Sequence, residues 1–356
     1  MVHNFNAGPS ILPEEVFKEA AAAVLSYSDT GLSILEYGHR TPAFEGIMQE
    51  ARSLMKELMD LDNDHEVLFL HGGASTQFMQ VPMNLLDSKE TAAYTDTGIW
   101  AAKAIKEAKL FGKPEIVCSS KDKNYSFLPK DFAVPNDAKY FHITTNNTVY
   151  GTQWQKIPTT SNSIVADMSS DILSRSLDFN AFDLIYAGAQ KNIGAAGVTA
   201  VIVNKNCLGK TKRSIPTMMD YRNHITEGSM LNTPPVFAVY TCMLTLRWLK
   251  KQGGVKAIEK INNEKAALLY AEIDRNPLFK GTVEKEDRSK MNVCFVMNDA
   301  NLEESFLKYA SSQNIIGIKG HRSVGGFRAS LYNALPLSSV EFLVSVMKDF
   351  EKTCKP

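Results

Sequence analysis

One lysine of this 356-residue chain lies between two strand-like runs, in surroundings that suit reaction of its amine with a carbonyl group. Lys191 lies in a small and nearly uncharged stretch, residues 189–197, between the apolar runs 183–188 and 198–203. An ammonium group there has few solvating partners, and desolvation lowers a lysine pKa toward the range in which the free amine attacks a carbonyl. Position alone also allows a lysine that extends its amino group to water. A partner residue has to decide between these interpretations.

An aspartate is the candidate partner. Asp167 ends the apolar run 163–167, so we predict it at the carboxyl end of a strand. Open parallel sheets bind ligands at that edge, and a pyridoxal phosphate enzyme needs an acid that faces the pyridinium nitrogen. The following Met-Ser-Ser-Asp, residues 168–171, is equally typical of a capped turn. Asp167 as a cap and Asp167 as a cofactor ligand both remain open from these residues alone.

A glycine pair follows another strand-like run, residues 66–70, and precedes a predicted helix. Glycines let the backbone approach a phosphate closely, and a helix N-terminus offers free N–H groups and the positive end of the dipole. Ala74, Ser75 and Thr76 are the candidate amide or hydroxyl donors. The segment 71–79 has neither the Walker ending nor GxGxxG spacing, so alone it predicts only a tight turn or a phosphate loop.

Composition excludes several classes of partner. The chain has 39 Lys plus Arg and 39 Asp plus Glu, so no net charge favours nucleic acid or an anionic membrane. Its five cysteines are scattered and have no CxxC spacing, which argues against a disulfide framework or a metal site and favours a reducing compartment. We find neither a leader-like N-terminus nor an apolar run of membrane-spanning length. We therefore expect a soluble, cytoplasmic protein.

Apolar runs alternate with helical patterns along most of the chain, which predicts an α/β fold with a mostly parallel sheet. The runs at 183–187 and 198–203 are close enough in sequence to form an antiparallel pair. We predict an N-terminal arm (1–14), a large domain (15–254) and a smaller C-terminal α/β domain (255–356). A Ser-Ser-Val-Glu capping box at 338–341 should open the last helix. The predicted strands of the large domain lie near residues 66–70, 91–95, 115–118, 140–143, 163–167, 183–187 and 198–203.

Seven short motifs resemble those of the phosphoserine aminotransferase family, which belongs to class V of the pyridoxal-phosphate-dependent aminotransferases. They occur in the family's order over nearly the whole chain, and such an ordered set is far more specific than any one motif. The resemblance implies fold type I, with pyridoxal 5'-phosphate as cofactor, and a homodimer with active sites shared between subunits. The motifs are Asn4-Phe5-Asn6-Ala7-Gly8-Pro9-Ser10, Gly38-His39-Arg40, Gly72-Gly73-Ala74-Ser75-Thr76-Gln77-Phe78, Ala166-Asp167-Met168-Ser169-Ser170, Ala189-Gln190-Lys191-Asn192, Asn232-Thr233-Pro234-Pro235 and His321-Arg322-Ser323-Val324-Gly325-Gly326-Phe327-Arg328-Ala329-Ser330.

By this resemblance, Lys191 would bind the cofactor covalently and Asp167 would contact its ring nitrogen. Trp100 would stack on the ring, and Thr148 would contact its hydroxyl side. Without the resemblance, we would interpret Trp100 as a core or interface residue and Thr148 as a turn residue.

The resemblance also indicates which residues would bind the cofactor phosphate. Ala74, Ser75 and Gln190 would hold it from one subunit, and Asn232 and Thr233 would reach it from the other. Some family members carry an arginine at the position of Ser75, whereas other members lack it. The guanidinium that such members direct at a substrate or cofactor phosphate is absent here, and the family assignment does not depend on it.

The implied reaction moves the amino group of L-glutamate to 3-phosphooxypyruvate, giving O-phospho-L-serine and 2-oxoglutarate; some members also act on 4-phosphohydroxy-L-threonine. Arg328 would clasp the α-carboxylate that all substrates share. His39, Arg40, His321 and Arg322 would surround the distal carboxylate or phosphate, with the 321–322 pair supplied by the neighbouring subunit. The alternatives are a cysteine desulfurase or another aminotransferase of the same fold, and a non-catalytic protein that binds pyridoxal phosphate or a phosphorylated metabolite.

Overall fold

The computed structural model describes residues 2–28 and 30–354, and within them the chain alternates strands and helices as the sequence predicts. The helices are α1 (Glu14–Leu25), α2 (Pro42–Met59), α3 (Gly73–Leu85), α4 (Ile99–Ala108), α5 (Tyr221–Thr226), α6 (Val236–Lys251), α7 (Gly254–Arg275), α8 (Glu303–Ser312) and α9 (Leu337–Thr353). The strands are β1 (His3–Asn4), β2 (His65–Leu70), β3 (Thr91–Asp96), β4 (Lys113–Ser119), β5 (Phe141–Thr144), β6 (Ile164–Asp167), β7 (Leu184–Gly188), β8 (Thr199–Asn204), β9 (Phe279–Gly281), β10 (Asn292–Met297), β11 (Ile315–Ile316) and β12 (Phe327–Ser330).

A central sheet has the strand order β2-β8-β7-β6-β5-β3-β4. The five strands from β7 to β4 run parallel, whereas β8 is antiparallel to both β7 and β2. The predicted mostly parallel sheet and the predicted antiparallel pair are therefore confirmed. Parallel strands end at one edge of the sheet, so the ends of β5, β6 and β7 lie side by side there.

Both faces of the central sheet are covered, as near-continuous apolar strands require. One face packs against α1, α2 and α6 through residues such as Phe141, Ala166 and Ile185. The opposite face, with Val165 and Tyr186, packs against α3, α4 and α5. Side chains alternate between the faces along each strand. The end of each strand is thereby fixed by two independent layers.

The C-terminal part of the chain has its own core around a three-stranded antiparallel sheet, β12-β10-β9, covered by α7, α8 and α9. Helix α7 contributes to two cores, because Ile258 packs in the first and Leu269 in the second. The predicted boundary at residues 254–255 coincides with the start of α7, and the division into domains stays a prediction. None of the helices in the described ranges is long and apolar enough to cross a membrane.

The N-terminal residues join the C-terminal core. Strand β1 pairs in parallel with β11, and Phe5 is fully buried among the side chains of that core. Farther along, the Ser10 N–H donates to Gln190 O at 3.0 Å, beside Lys191. Residues 3–10 thus run from the C-terminal core to the loop that carries the lysine.

The last helix begins before the predicted capping box. Helix α9 starts at Leu337, after Pro336, and no side chain caps its N-terminus. Proline suits a helix start because its φ is fixed in the helical range and it has no N–H to satisfy. Ser339 Oγ instead forms a hydrogen bond with His3 Nδ1 at 2.9 Å. The prediction of a capping box at 338–341 was wrong.

Candidate active site

A cavity lies at the sheet edge where β5, β6 and β7 end, opposite the N-terminus of α3. Seven of the nine predicted cofactor-binding residues line it: Ala74, Ser75, Trp100, Thr148, Asp167, Gln190 and Lys191. They come from distant parts of the sequence, and the parallel strands bring them together. The cavity is also lined by Gly73, Phe78, Thr144, Asn146, Ser169 and Ser170, for which the sequence analysis gave no role.

Lys191 extends into this cavity from the turn after β7. Its Nζ donates a hydrogen bond to Thr148 Oγ1 at 2.8 Å and lies 5.9 Å from the centroid of the Trp100 ring. Burial lowers the pKa of Lys191 to about 8, opposed by the charge of Asp167 and assisted by that of Arg328. A useful fraction of the amine is therefore neutral near physiological pH, as a nucleophile or a general base requires.

Asp167 is the last residue of β6 and is buried. Its Oδ1 accepts a hydrogen bond from the Ser169 N–H at 3.0 Å. Burial raises the pKa of Asp167, while hydrogen bonds from Ser169 and the charge of Lys191 oppose this rise. The carboxylate therefore caps the following turn and also lines the cavity, so the two interpretations of this residue are compatible.

The N-terminus of α3 points its free backbone groups at the same cavity. Gly72 has φ +91°, and no side chain caps the helix or adds an acid to its first turn. A side chain at Gly72 would collide with Thr76, whose hydroxyl donates to Gly72 O at 2.9 Å. Thr76 is therefore used within the loop, whereas Ala74 and Ser75 face the cavity. Free N–H groups and the helix dipole favour an anion here.

Arg328 connects the three-stranded sheet to this cavity, because its Nη1 donates to Thr148 O at 3.3 Å. Its Nε is buried and has no hydrogen-bond partner. Burial, followed by the charges of Arg328, Arg322 and Lys103, lowers the pKa of the nearby His321. Lys103 was not predicted; its Nζ lies 4.5 Å from the Trp100 ring centroid. A group of cations thus lies beside the cavity within one chain.

Seven of the fourteen predicted site residues do not line this cavity: Arg328, His321 and Arg322, described above, and Asn232, Thr233, His39 and Arg40. The Thr233 carbonyl accepts a hydrogen bond from His71 Nε2 at 2.9 Å, and Asn232 lines a separate cavity behind the glycine loop. Arg40 is exposed, and His39 is partly buried with no hydrogen-bond partner for Nε2. The roles predicted for Asn232 and Thr233 involve a second subunit; these roles and the substrate contacts predicted for His39 and Arg40 stay predictions. No group of three or more His, Cys, Asp or Glu in the described ranges could hold a metal ion.

One missed residue had a usable signal in the sequence. Thr144 ends β5 and is in register with Asp167 at the end of the adjacent strand β6. The apolar run 140–143 predicted the strand, so the first polar residue after it was a candidate for the sheet edge. Asn146, Ser169 and Ser170 lie in the turns beyond the strands, where spacing alone does not reveal direction.

The fold and the site define the class. A family model for class-V aminotransferases matches residues 2–343, so the chain is a member of that class. A phosphoserine aminotransferase from Flavobacterium johnsoniae is 58% identical over 350 residues, covering 98% of each chain. The phosphoserine aminotransferase structure from Bacillus circulans subsp. alkalophilus has a TM-score of 0.97 and 43% identity, covering 100% of this chain and 99% of the other.

A third relative has a cofactor in its structure. The phosphoserine aminotransferase from Trichomonas vaginalis, solved with bound pyridoxal phosphate, has a TM-score of 0.93 and 34% identity, and 98% of this chain and 100% of that chain are covered. Within class V, the chain therefore belongs to the phosphoserine aminotransferase family.

Proposed function

We propose that this chain catalyses the reversible transfer of the amino group of L-glutamate to 3-phosphooxypyruvate. The products are O-phospho-L-serine and 2-oxoglutarate. The observation that carries the proposal is the convergence of Lys191, Asp167 and the N-terminus of α3 on one cavity. The near full-length similarity to phosphoserine aminotransferases supports the choice of substrates.

The residues of the cavity fit pyridoxal phosphate. An amine, a buried carboxylate and an anion-binding helix end match the aldehyde, the ring nitrogen and the phosphate of that molecule. Trp100 offers an aromatic surface, and two buried polar atoms at the cavity, Trp100 Nε1 and Thr144 Oγ1, have no hydrogen-bond partner in the chain. When bound, the cofactor supplies an electron-withdrawing ring that stabilises negative charge on the substrate α-carbon.

Lys191 and Asp167 have distinct roles in this proposal. The neutral Nζ of Lys191 would bind the cofactor aldehyde between turnovers and, when free, would move the proton between the substrate α-carbon and the cofactor carbon. Thr148 Oγ1, 2.8 Å from Nζ, holds the amine in the cavity. Asp167 keeps a proton on the ring nitrogen through the charge of its carboxylate. Ala74 and Ser75, with Gln190, bind the phosphate.

Basic residues of both predicted domains bind the substrate anions in this proposal. Arg328 pairs with the α-carboxylate common to all substrates, and its unpartnered Nε provides a free donor. A planar guanidinium pairs with a carboxylate or a phosphate equally well. The distal anion is bound by His39, Arg40, His321 and Arg322. We propose a homodimer in which Asn232, Thr233 and some of these cations complete the partner's site.

The surroundings of His321 bear on which subunit's site His321 and Arg322 serve. The influence of Arg328 and Lys103 on the pKa of His321 supports an orientation of the 321–322 turn toward cations of its own chain. Supply of this pair to the neighbouring subunit stays a prediction. The same site is also the candidate for 4-phosphohydroxy-L-threonine, whose phosphate is one carbon farther from the α-carbon than that of O-phosphoserine.

A cysteine desulfurase activity is disfavoured by the surroundings of Cys294. That thiol lies in strand β10 and is 5% exposed, and burial raises its pKa to about 12. A desulfurase needs a thiolate on a mobile loop over the cofactor.

None of the five cysteines, all within the described ranges, forms a disulfide, which supports the cytoplasmic location that we propose.

The test is a pair of half-reactions. Glutamate added to the cofactor-loaded enzyme should abolish the visible absorbance of the bound cofactor, and 3-phosphooxypyruvate should restore it with release of O-phosphoserine. A non-catalytic binding protein would retain its spectrum with glutamate. An enzyme that responds to glutamate but recovers with pyruvate rather than 3-phosphooxypyruvate would be an aminotransferase of different specificity.

A further inference from the structure

Three buried asparagines donate to three consecutive carbonyl groups of the turn that follows Asp167. We call these residues, Asn192, Asn262 and Asn333, the asparagine clamp; each is at most 5% exposed. The bonds run from Asn192 Nδ2 to Ile172 O at 3.0 Å, from Asn333 Nδ2 to Leu173 O at 2.9 Å and from Asn262 Nδ2 to Ser174 O at 2.9 Å.

The members of the clamp also bond to each other. The Asn333 N–H donates to Asn192 Oδ1 at 3.0 Å, and Asn262 Nδ2 donates to Asn333 Oδ1 at 2.8 Å. Asn333 is thus the central member, because it bonds to both of the others and to the turn. Removing its side chain takes one hydrogen bond from the buried Leu173 O and one from the buried Asn262 Nδ2, which is more disruptive than losing one exposed hydrogen bond.

Each member comes from an element that matters to the proposed chemistry. Asn192 directly follows Lys191, Asn262 lies in α7, and Asn333 follows the strand that carries Arg328. The segment around Asn333 is fixed in turn by Lys265, whose buried Nζ donates to the carbonyls of Leu331, Tyr332 and Leu335. The clamp therefore joins the lysine turn, the aspartate turn and the small domain.

The clamped turn does not adopt a relaxed conformation. Leu173 has φ +56°, in the left-handed region that a leucine rarely occupies. Its carbonyl is the one that Asn333 holds. Ser169 and Ser170, which line the cavity, lie in the same turn. A non-glycine residue in this conformation persists only where its surroundings hold it.

We propose that Asn333 is a positioning residue that fixes Lys191 relative to Asp167. It touches neither reacting group; it acts through Asn192 on one side and through the turn of Leu173 on the other. This inference rests on the proposed function. An error of about 1 Å in the placement of reacting groups can reduce turnover roughly a hundredfold, so loss of the clamp should reduce kcat more than substrate affinity.

Asn276 provides a matched control. It is buried like Asn333, at 2% exposure against 3%, and its side chain forms three hydrogen bonds, whereas the side chain of Asn333 forms two. Its partners are Glu272, Leu278 and Met347, all within the small domain and remote from the cavity. Asn276→Ala therefore reports the cost of removing a buried asparagine without disturbing the lysine turn or the aspartate turn.

The experiment compares Asn333→Ala, Asn333→Asp and Asn276→Ala in the cofactor-loaded enzyme. Asn333→Asp keeps the acceptor for Asn262 and the backbone N–H, but it places a carboxylate oxygen against Leu173 O; it serves if the alanine variant does not fold. Three quantities are measured: kcat and KM, the midpoint of the pH titration of the visible cofactor absorbance, and urea stability.

Both Asn333 variants should lose at least about tenfold in kcat, with little change in KM and a shifted titration midpoint. Asn276→Ala should lower the stability in urea and leave kcat, KM and the titration midpoint unchanged. A normal kcat and an unchanged midpoint in a folded Asn333 variant would overturn the inference, and so would an equal loss of kcat in Asn276→Ala. Failure of the unmodified enzyme to transaminate would instead refute the proposed function.

Discussion

Lys191 and Arg328 are linked through a single residue between them. The hydroxyl of Thr148 accepts a hydrogen bond from Lys191 Nζ at 2.8 Å, and its carbonyl accepts one from Arg328 Nη1 at 3.3 Å. The charge of Arg328 lowers the pKa of Lys191, whereas the charge of Asp167 raises it. The residue proposed to bind the substrate and the residue proposed to face the cofactor thus act in opposite directions on the amine.

This relationship predicts two pKa shifts of opposite sign in the cofactor-free enzyme. Arg328→Gln should raise the pKa of Lys191 above its value of about 8, and Asp167→Asn should lower it. The pKa is obtained from the pH dependence of the rate at which an amine reagent modifies Lys191, followed by peptide mass spectrometry. Shifts of the same sign in both variants would show that the two charges do not act on the amine as proposed.

Lys191→Ala should eliminate covalent attachment of the cofactor and nearly all turnover, because no other amine lines the cavity in the described residues. The fold should persist, since the lysine side chain donates only to Thr148 Oγ1. Borohydride reduction followed by peptide mapping tests the attachment, and circular dichroism tests the fold. A variant that transaminates near the parent rate would refute the assignment.

Asp167→Asn should retain the bound cofactor and slow proton abstraction strongly, because a neutral amide does not hold a proton on the ring nitrogen. Single-turnover absorbance changes with glutamate measure that step. Unchanged rates would mean that Asp167 serves only as the cap of its turn.

The same substitution should stabilise the cofactor-free protein at neutral pH. Burial raises the folded-state pKa of Asp167 above the ordinary value of 3.8. The contribution of this group to stability is therefore highest below the ordinary pKa and falls as pH rises through the window up to the folded pKa. At neutral pH, the free energy of unfolding measured in urea should be larger for Asp167→Asn than for the unmodified protein. This difference should become smaller as the pH is lowered toward 4. An advantage independent of pH would contradict this cause.

Arg322→Ala should weaken the binding of 3-phosphooxypyruvate more than the binding of glutamate, because a phosphate group has a larger charge than a carboxylate. A lost charge-assisted contact is worth about 1.5–3 kcal/mol, which corresponds to roughly ten- to a hundredfold in apparent affinity. Arg328→Ala should impair both half-reactions. Lys308→Ala, in α8, removes an exposed cation paired with Glu304 and serves as the charge control. Equal losses for the two substrates in Arg322→Ala would refute the division of roles.

The sequence predicts this fold well where one kind of residue dominates a segment. The apolar runs that end at Asp167 and at Gly188 are strands β6 and β7, since buried parallel strands are apolar on both faces. The helix start near residue 338 was placed wrongly because proline and serine are both good starting residues. Only the packed structure decides between them.

The motifs in the sequence made the residues of the candidate site predictable. The buried asparagines that hold those residues in position were not predictable. Lys191 and Asp167 lie in short, distinctive segments at strand ends. Asn333 and Asn262 have no such surroundings, and an isolated asparagine in a helix or a turn is ordinarily a surface residue. Their importance depends on hydrogen bonds between residues far apart in the sequence. Spacing carries no information about such contacts.

The pairing of β1 with β11 has a consequence for how the chain is made. His3 and Asn4 find their partners only at Ile315 and Ile316, and the Phe5 carbonyl accepts from the Ser330 N–H at 3.2 Å. During synthesis, the large sheet can form as soon as β8 leaves the ribosome, but the N-terminal arm has to wait until nearly the whole chain has emerged. Contacts over such separations form slowly. We therefore expect the loop of Lys191 to acquire its contact with Ser10 among the last steps of folding, and a bulky N-terminal fusion to delay that step more than a C-terminal one.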